Sequence, residues 1–225
     1  MKTAFAMIAA LVVPAMIAAP AAAAESRVYE RGGYTLDFRD DTGTTDQAVA
    51  DRMVETFFAV YPQLVATFNP EAPTRVTFIM DPDLPAVAGA GGDVVMYNSA
   101  HFAEHPHDTD VVTHEVMHLV QAYGDRGAPG WLTEGIADYV RHVYGVDNAA
   151  GGWALPPFSP DQSLQDGYRG AARFLLWLEA HGHAGIVRTL DSRLRAGTYS
   201  ESDWRDITGR GLPELWAAYA ADPAL

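Results

Sequence analysis

The sequence predicts an α+β fold: a small N-terminal mixed or antiparallel sheet packed on a helical core built around an H-E-x-x-H helix. Three observations carry this expectation. Residues 34–38 alternate apolar and polar side chains, and 75–80 reads as a second strand. A glycine-rich run at 89–92 between two short stretches at 85–88 and 93–98 suggests a hairpin. From about residue 108 onward, apolar residues recur at helical spacing between cap and breaker residues.

Residues 1–24 read as an export signal. Lys2 supplies the positive end, an apolar run follows from Ala4, and Ala22, Ala23 and Ala24 form a small-residue cleavage site. The apolar run is short and alanine-rich for an uncleaved anchor. The remainder, 25–225, is long enough for one domain with a sizeable core. Without Lys2, 14 arginines face 29 acidic residues, which gives a net charge of −15. Nucleic acid and anionic membrane surfaces are poor partners for such a chain. It contains no cysteine, so no thiol serves as nucleophile or ligand and an exported fold must stand without disulfides. Together these features predict a secreted or periplasmic protein with no stable membrane insertion after signal cleavage.

After the first strand, the acidic run at 40–44 lacks calcium-loop spacing and reads as a turn with a helix cap. A helix is expected over 45–68, burying Val49, Met53, Phe57, Tyr61, Leu64 and Val65, with a kink at Pro62. The glycines at 89–92 precede no lysine and no helix start, which argues against a phosphate loop. The stretch at 93–98 is expected to be an open edge strand just before the next helix. His101, His105 and His107 fall in the next loop, where solvated histidines are a simpler expectation than a second metal. Asp108 or Thr109 is the expected cap of the next helix, which should end near Gly124.

That helix carries His114, Glu115 and His118. Residues four apart share a helix face, so His114 and His118 can aim two ring nitrogens at one point. The point suits Zn2+, which takes imidazole nitrogen at about 2.0–2.1 Å. Glu115 lies about a quarter-turn away, poor as a ligand but able to reach a water beside the metal. A histidine-rich long motif fails, since Gln121 and Gly124 stand where its glycine and third histidine would be. The third ligand must come from Asp125, Glu134 or Asp138. Asp125 follows too closely to fold back. Glu134 lies on the next helix with Asp138 one turn later, a spacing that suits Glu134 as the ligand and Asp138 as the residue orienting a ligand histidine. The reverse assignment stays open.

Beyond this, 151–165 is a proline-containing loop, and helices are expected at 166–180, about 185–196 and 213–221. Phe174, Leu175, Trp177 and Leu178 supply the core face of the first of these.

At the motif residues the chain resembles the gluzincins, the thermolysin-like zinc peptidases, through Glu134 and Asp138 following the H-E-x-x-H unit. It is more closely similar to the basic secretory protein family of plants and bacteria. The matching blocks are His114, Glu115, His118 and Gln121; then residues 134–141; then Gly167, Tyr168, Ala172, Arg173, Phe174 and Leu175. The resemblance implies a zincin-like core and a zinc metallopeptidase domain over 25–225, acting on peptide or protein substrates. It implies His114, His118 and Glu134 as metal ligands supported by Asp138, and Glu115 as general base. It also implies a downstream Tyr or His that steadies the oxyanion. Tyr168 is the expected donor among Tyr123, Tyr139, Tyr168, His181 and His183, because it comes from a separate helix able to approach across a cleft. The acidic charge departs from a basic family. Gln121, Arg141 and Arg173 belong to the matching blocks without an evident chemical role. The expected function is peptide-bond hydrolysis. A non-catalytic zinc protein of the cell envelope is the alternative, and Glu115 speaks against it, since a purely structural site has no use for that carboxylate.

Overall fold

Strands β1 (Glu25–Arg31), β2 (Tyr34–Asp40), β3 (Arg75–Met80), β4 (Ala88–Gly91) and β5 (Val94–Tyr97) form one five-stranded sheet in the order β1-β2-β3-β5-β4. β2, β3 and β5 run parallel, while β1 and β4 are antiparallel edges, so the sheet is mixed. The computed structural model describes residues 25–225, and the expected leader at 1–24 lies outside the described residues. β2 alternates as expected, burying Leu36, Phe38 and Asp40. β3, at the centre, buries Val76, Thr77, Phe78 and Met80 on both faces.

Helix α1 (Gln47–Phe68) covers one face of the sheet. Asp46 caps it by accepting from the amides of Ala48 and Val49. All six positions expected to be buried are buried. Phe57 packs edge-on to Phe78 of β3, and Phe78 to Tyr97 of β5, at 5.5 and 5.0 Å between ring centres. The helix passes through Pro62 and continues to Phe68.

The rest of the chain is helical: α2 (Ser99–Glu104), α3 (Val111–Gln121), α4 (Gly130–Tyr144), a 3-10 turn (Leu164–Asp166), α5 (Tyr168–Ala180), α6 (Ile186–Ala196), α7 (Ser202–Thr208) and α8 (Leu212–Ala221). The molecule is thus an α+β protein with an N-terminal sheet on a helical core. α3 packs between α1 and α4, and α4 lies along α5. Gly135 makes the last contact possible, because a Cβ there would stand 2.7 Å from the Cβ of Ala171. No helix among the described residues is long and apolar enough to cross a membrane.

Several expectations are corrected. The strand at 93–98 does not form the edge: β5 lies between β3 and β4, so the open edge belongs to β4. Gly89 and Gly91 sit within that strand, and the turn falls at Gly92 and Asp93. His101 lies on α2, with Nε2 3.1 Å from Asp108 and its ring 4.7 Å from that of His105. Asp108 and Thr109 do not cap α3, because Asp108 pairs with Arg141 and the cap position falls to Asp110. The Asp110 carboxylate accepts instead from the amides of Val146 and Asp147, tying the loop after α4 to the start of α3. α3 ends at Gln121, near Gly124 as expected, and Ala122 (φ 45°) and Gly124 (φ 55°) are both left-handed. β1 and α7 have no counterpart among the expected elements.

Candidate metal centre

Two helices bring three donor atoms to one point. From α3, His114 Nε2 and His118 Nε2 stand 3.2 Å apart. From α4, Glu134 Oε2 lies 3.2 Å from the first and 3.6 Å from the second. Tetrahedral zinc with bonds of about 2.0–2.1 Å spaces its ligand atoms about 3.3 Å apart, so the spacing suits that ion with one position left over. Among the described residues, His114, His118 and Glu134 are the group able to hold a metal.

The outer nitrogens fix which face of each ring is bare. His114 Nδ1 lies 2.7 Å from Asp138 Oδ1. A carboxylate only accepts, so Nδ1 carries the proton and Nε2 keeps its lone pair. His118 Nδ1 lies 2.7 Å from Gln121 Oε1, while Gln121 Nε2 donates to the carbonyl of Thr133 at 2.9 Å. That second bond orients the amide, so Oε1 faces His118 as an acceptor. Two bare nitrogens and a carboxylate oxygen therefore converge. Such a trio repels itself unless a cation, a metal or a proton, sits among it. The donor chemistry fits zinc.

Charge perturbations follow this arrangement. Burial pulls the His114 pKa down, but its bonds to Asp138 and Glu134 outweigh that and raise it to about 9. Burial pushes Glu134 up, and the two histidines more than reverse this, leaving it at about 2. Glu115 is buried beside them. Desolvation raises its pKa against the pull of His114 and His118, making it more basic than an ordinary carboxylate.

The cleft over these residues has a volume of about 820 Å³. β4 forms one wall; α3 with the loop after it, and the start of α4, form the other, with Tyr168 at the rim. Tyr168 is more than half exposed, and its ring lies parallel to that of His114 with centres 6.3 Å apart. It is reached through two consecutive left-handed residues, Gly167 (φ 65°) and Tyr168 (φ 44°), and the second is costly for a side-chain-bearing residue. The charge of Glu134 is the largest cause raising its pKa.

The structure thus gathers His114, Glu115, His118, Glu134, Asp138 and Tyr168 around one cleft. Of the other oxyanion candidates, His183 is not among the residues lining the cleft, and the other three are engaged elsewhere. Tyr123 donates to Asp191 at 2.9 Å, and His181 stacks on Trp177. Tyr139 is half-buried against the core. Arg141 pairs with Asp108 and Asn148 and lies over Trp153, while Arg173 lies over the ring of Tyr219. Both therefore pack. Gln121 is the residue whose contact with His118 the sequence did not disclose; its position three after His118 was the available signal, since i and i+3 adjoin on a helix.

A family model described as peptidase of plants and bacteria matches residues 31–219. No curated protein matches the chain. Among solved structures, the M1 zinc metallopeptidase from Deinococcus radiodurans superposes with a TM-score of 0.50 at 17% identity, covering 88% of this chain and 51% of that one. A form of that enzyme bound to a Tyr-Ser-Ala substrate gives a TM-score of 0.50 at 19% identity, covering 88% and 51%. This chain therefore spans about half the length of those structures, and at that identity the likeness concerns the fold.

Proposed function

This chain belongs to the family of peptidases of plants and bacteria, and from that premise we propose that it is an exported zinc-dependent peptidase that hydrolyses peptide bonds with water. The observation that supports this most is the convergence of His114, His118 and Glu134 with a buried, non-ligating Glu115 beside them in an open cleft. The peptide bound to the Deinococcus enzyme supports the substrate class. Residues 1–24 act as the export signal, and 25–225 form one peptidase domain.

In this reading His114, His118 and Glu134 hold the zinc. When bound, the ion supplies Lewis-acid polarisation and an acidified water with a pKa of about 7. Asp138 and Gln121 hold the two imidazoles with Nε2 facing inward. Glu115, made more basic by burial, takes a proton from the attacking water and returns it to the leaving amine. The Tyr168 hydroxyl donates to the oxygen on which negative charge develops.

Glu115→Gln tests the proposal. The variant should bind zinc as the wild type does, while hydrolysis of an unstructured protein is lost. Loss of zinc would make Glu115 a ligand, and undiminished turnover would remove it from proton transfer. A zinc-loaded wild type that cleaves no peptide would leave a non-catalytic zinc protein.

A further inference from the structure

Resting on the proton-transfer role given to Glu115, we propose that Tyr97 is its positioning residue: the buried Tyr97 hydroxyl donates, directly or through one water, to the Glu115 carboxylate and holds it in place.

Tyr97 is the last residue of β5 and is fully buried, its ring edge-on to Phe78 and Phe102 at 5.0 and 6.0 Å between ring centres. That apolar packing has no use for an oxygen. The hydroxyl nevertheless lies inside the protein with no hydrogen-bond partner among the described residues. Desolvating a hydroxyl without pairing it is unfavourable, and phenylalanine would fill the same space without that cost.

The complement stands on α3. Glu115 is buried, yet its carboxylate makes no hydrogen bond or ion pair with another described residue. Its neighbours His114, His118 and Asp138 are each tied by one. An ionised carboxylate only accepts, and a tyrosine hydroxyl can donate, so each group supplies what the other lacks.

The fold brings the two together. α3 packs against both β4 and β5. Residues opposite one another in an antiparallel pair share a face of the sheet, so Tyr97 shares its face with Ala88. Ala88 in turn lines the cleft with Glu115. Burial, and after it the charge of Glu115, raise the Tyr97 pKa well above its ordinary value. The hydroxyl therefore keeps its proton and remains a donor.

Tyr97 does not line the cleft, whereas Glu115 does. The donor thus stands behind the carboxylate and leaves its other oxygen to the cleft. A glutamate side chain has several rotamers open to it, and a bond from behind selects one. Tyr97 touches no substrate in this arrangement and acts through Glu115.

The test has two arms. In zinc-loaded protein, Tyr97→Phe should lower kcat for a fluorogenic peptide about tenfold and leave KM and zinc content unchanged, as a misplaced base in an intact cleft requires. In chelator, a double-mutant cycle on denaturant unfolding reads the contact without any activity. Tyr97→Phe should raise the unfolding equilibrium constant about tenfold in the wild-type background. In a Glu115→Met background, which offers no acceptor, the same change should leave that constant unaltered or lower it. Glu115→Ala replaces that background should methionine prevent folding. An unaltered kcat, a shift in KM instead, or the same stability change in both backgrounds overturns the proposal. A coupled pair in a zinc-loaded protein that cleaves no peptide would sink the peptidase reading and leave the bond between Tyr97 and Glu115 standing.

Discussion

Glu134 and Asp138 stand one helical turn apart on α4, yet they meet His114 on opposite sides of its ring. Glu134 approaches Nε2 at 3.2 Å, and Asp138 approaches Nδ1 at 2.7 Å. That geometry suits the proposed roles, Glu134 as a ligand and Asp138 as its support. Glu134→Ala should abolish zinc binding, whereas Asp138→Ala should weaken it by about 10–100-fold, as measured by chelator competition. The reverse order would exchange the two roles. Tyr168 presents a different case: its backbone is left-handed while its side chain is more than half exposed. Strain kept at an exposed residue facing the cleft suits a group whose value lies in the transition state. Tyr168→Phe should cut turnover by about 10²–10³-fold with zinc content and melting temperature unchanged. An unaltered turnover number would remove it from the reaction.

Between the elements, Gln121 joins α3 to α4 and touches the three donors through His118. Its Oε1 sets the His118 ring, and its Nε2 holds the carbonyl of Thr133, the residue before Glu134. One buried amide thus fixes two of the three donors relative to each other. Gln121→Glu keeps an acceptor for His118 but sets a carboxylate against the Thr133 carbonyl, and Gln121→Met loses both bonds. Both variants should weaken zinc binding about 10–100-fold, the range for changes behind a ligand. Wild-type affinity in both would make the amide a packing group. Such a role was not legible in advance, since glutamine neither titrates nor binds zinc, whereas the i, i+4 histidines announced themselves. The same contrast runs through the strands. β2 and β3 stood out by alternation or by apolar and β-branched residues, but β1 bears polar groups on both faces and β4 is alanine and glycine, so no period marks either one. The phase of the hairpin was not legible, because glycines inside a short strand resemble glycines that make a turn.

Across the whole molecule, the buried helix faces were legible because amphipathic periodicity needs only the sequence. The buried ion cluster behind the site was not, because Tyr123 and Phe68 lie far along the chain from Asp191 and Arg195. Asp191 on α6 is fully buried, accepts from Tyr123 at 2.9 Å and pairs with Arg195 at 2.7 Å. Arg195 also donates to Phe68 O at the end of α1, so α1, α6 and the segment after α3 meet at one carboxyl group. Desolvation dominates over Arg195 and Tyr123 and lifts the Asp191 pKa from 3.8 to about 6. A folded-state value above the unfolded one means that folding favours the protonated form. The stability this group contributes is therefore fully present below about pH 4 and is lost as pH rises through about 6. The difference corresponds to at most about 3 kcal/mol. Carboxylates with lowered values, such as Asp37, Asp40 and Glu134, lose stability in the opposite direction as pH falls, so the raw profile mixes both trends. Asp191→Asn isolates the effect. Its amide keeps an acceptor for Tyr123 and carries no charge at any pH. In chelator, so that metal loss does not contribute, unfolding free energies from denaturant titration should fall for wild type relative to the variant between about pH 4 and pH 6, and run parallel above. A wild-type-minus-variant difference that stays flat across that window would mean that Arg195 holds Asp191 ionised throughout, and that the cluster is an ordinary salt bridge.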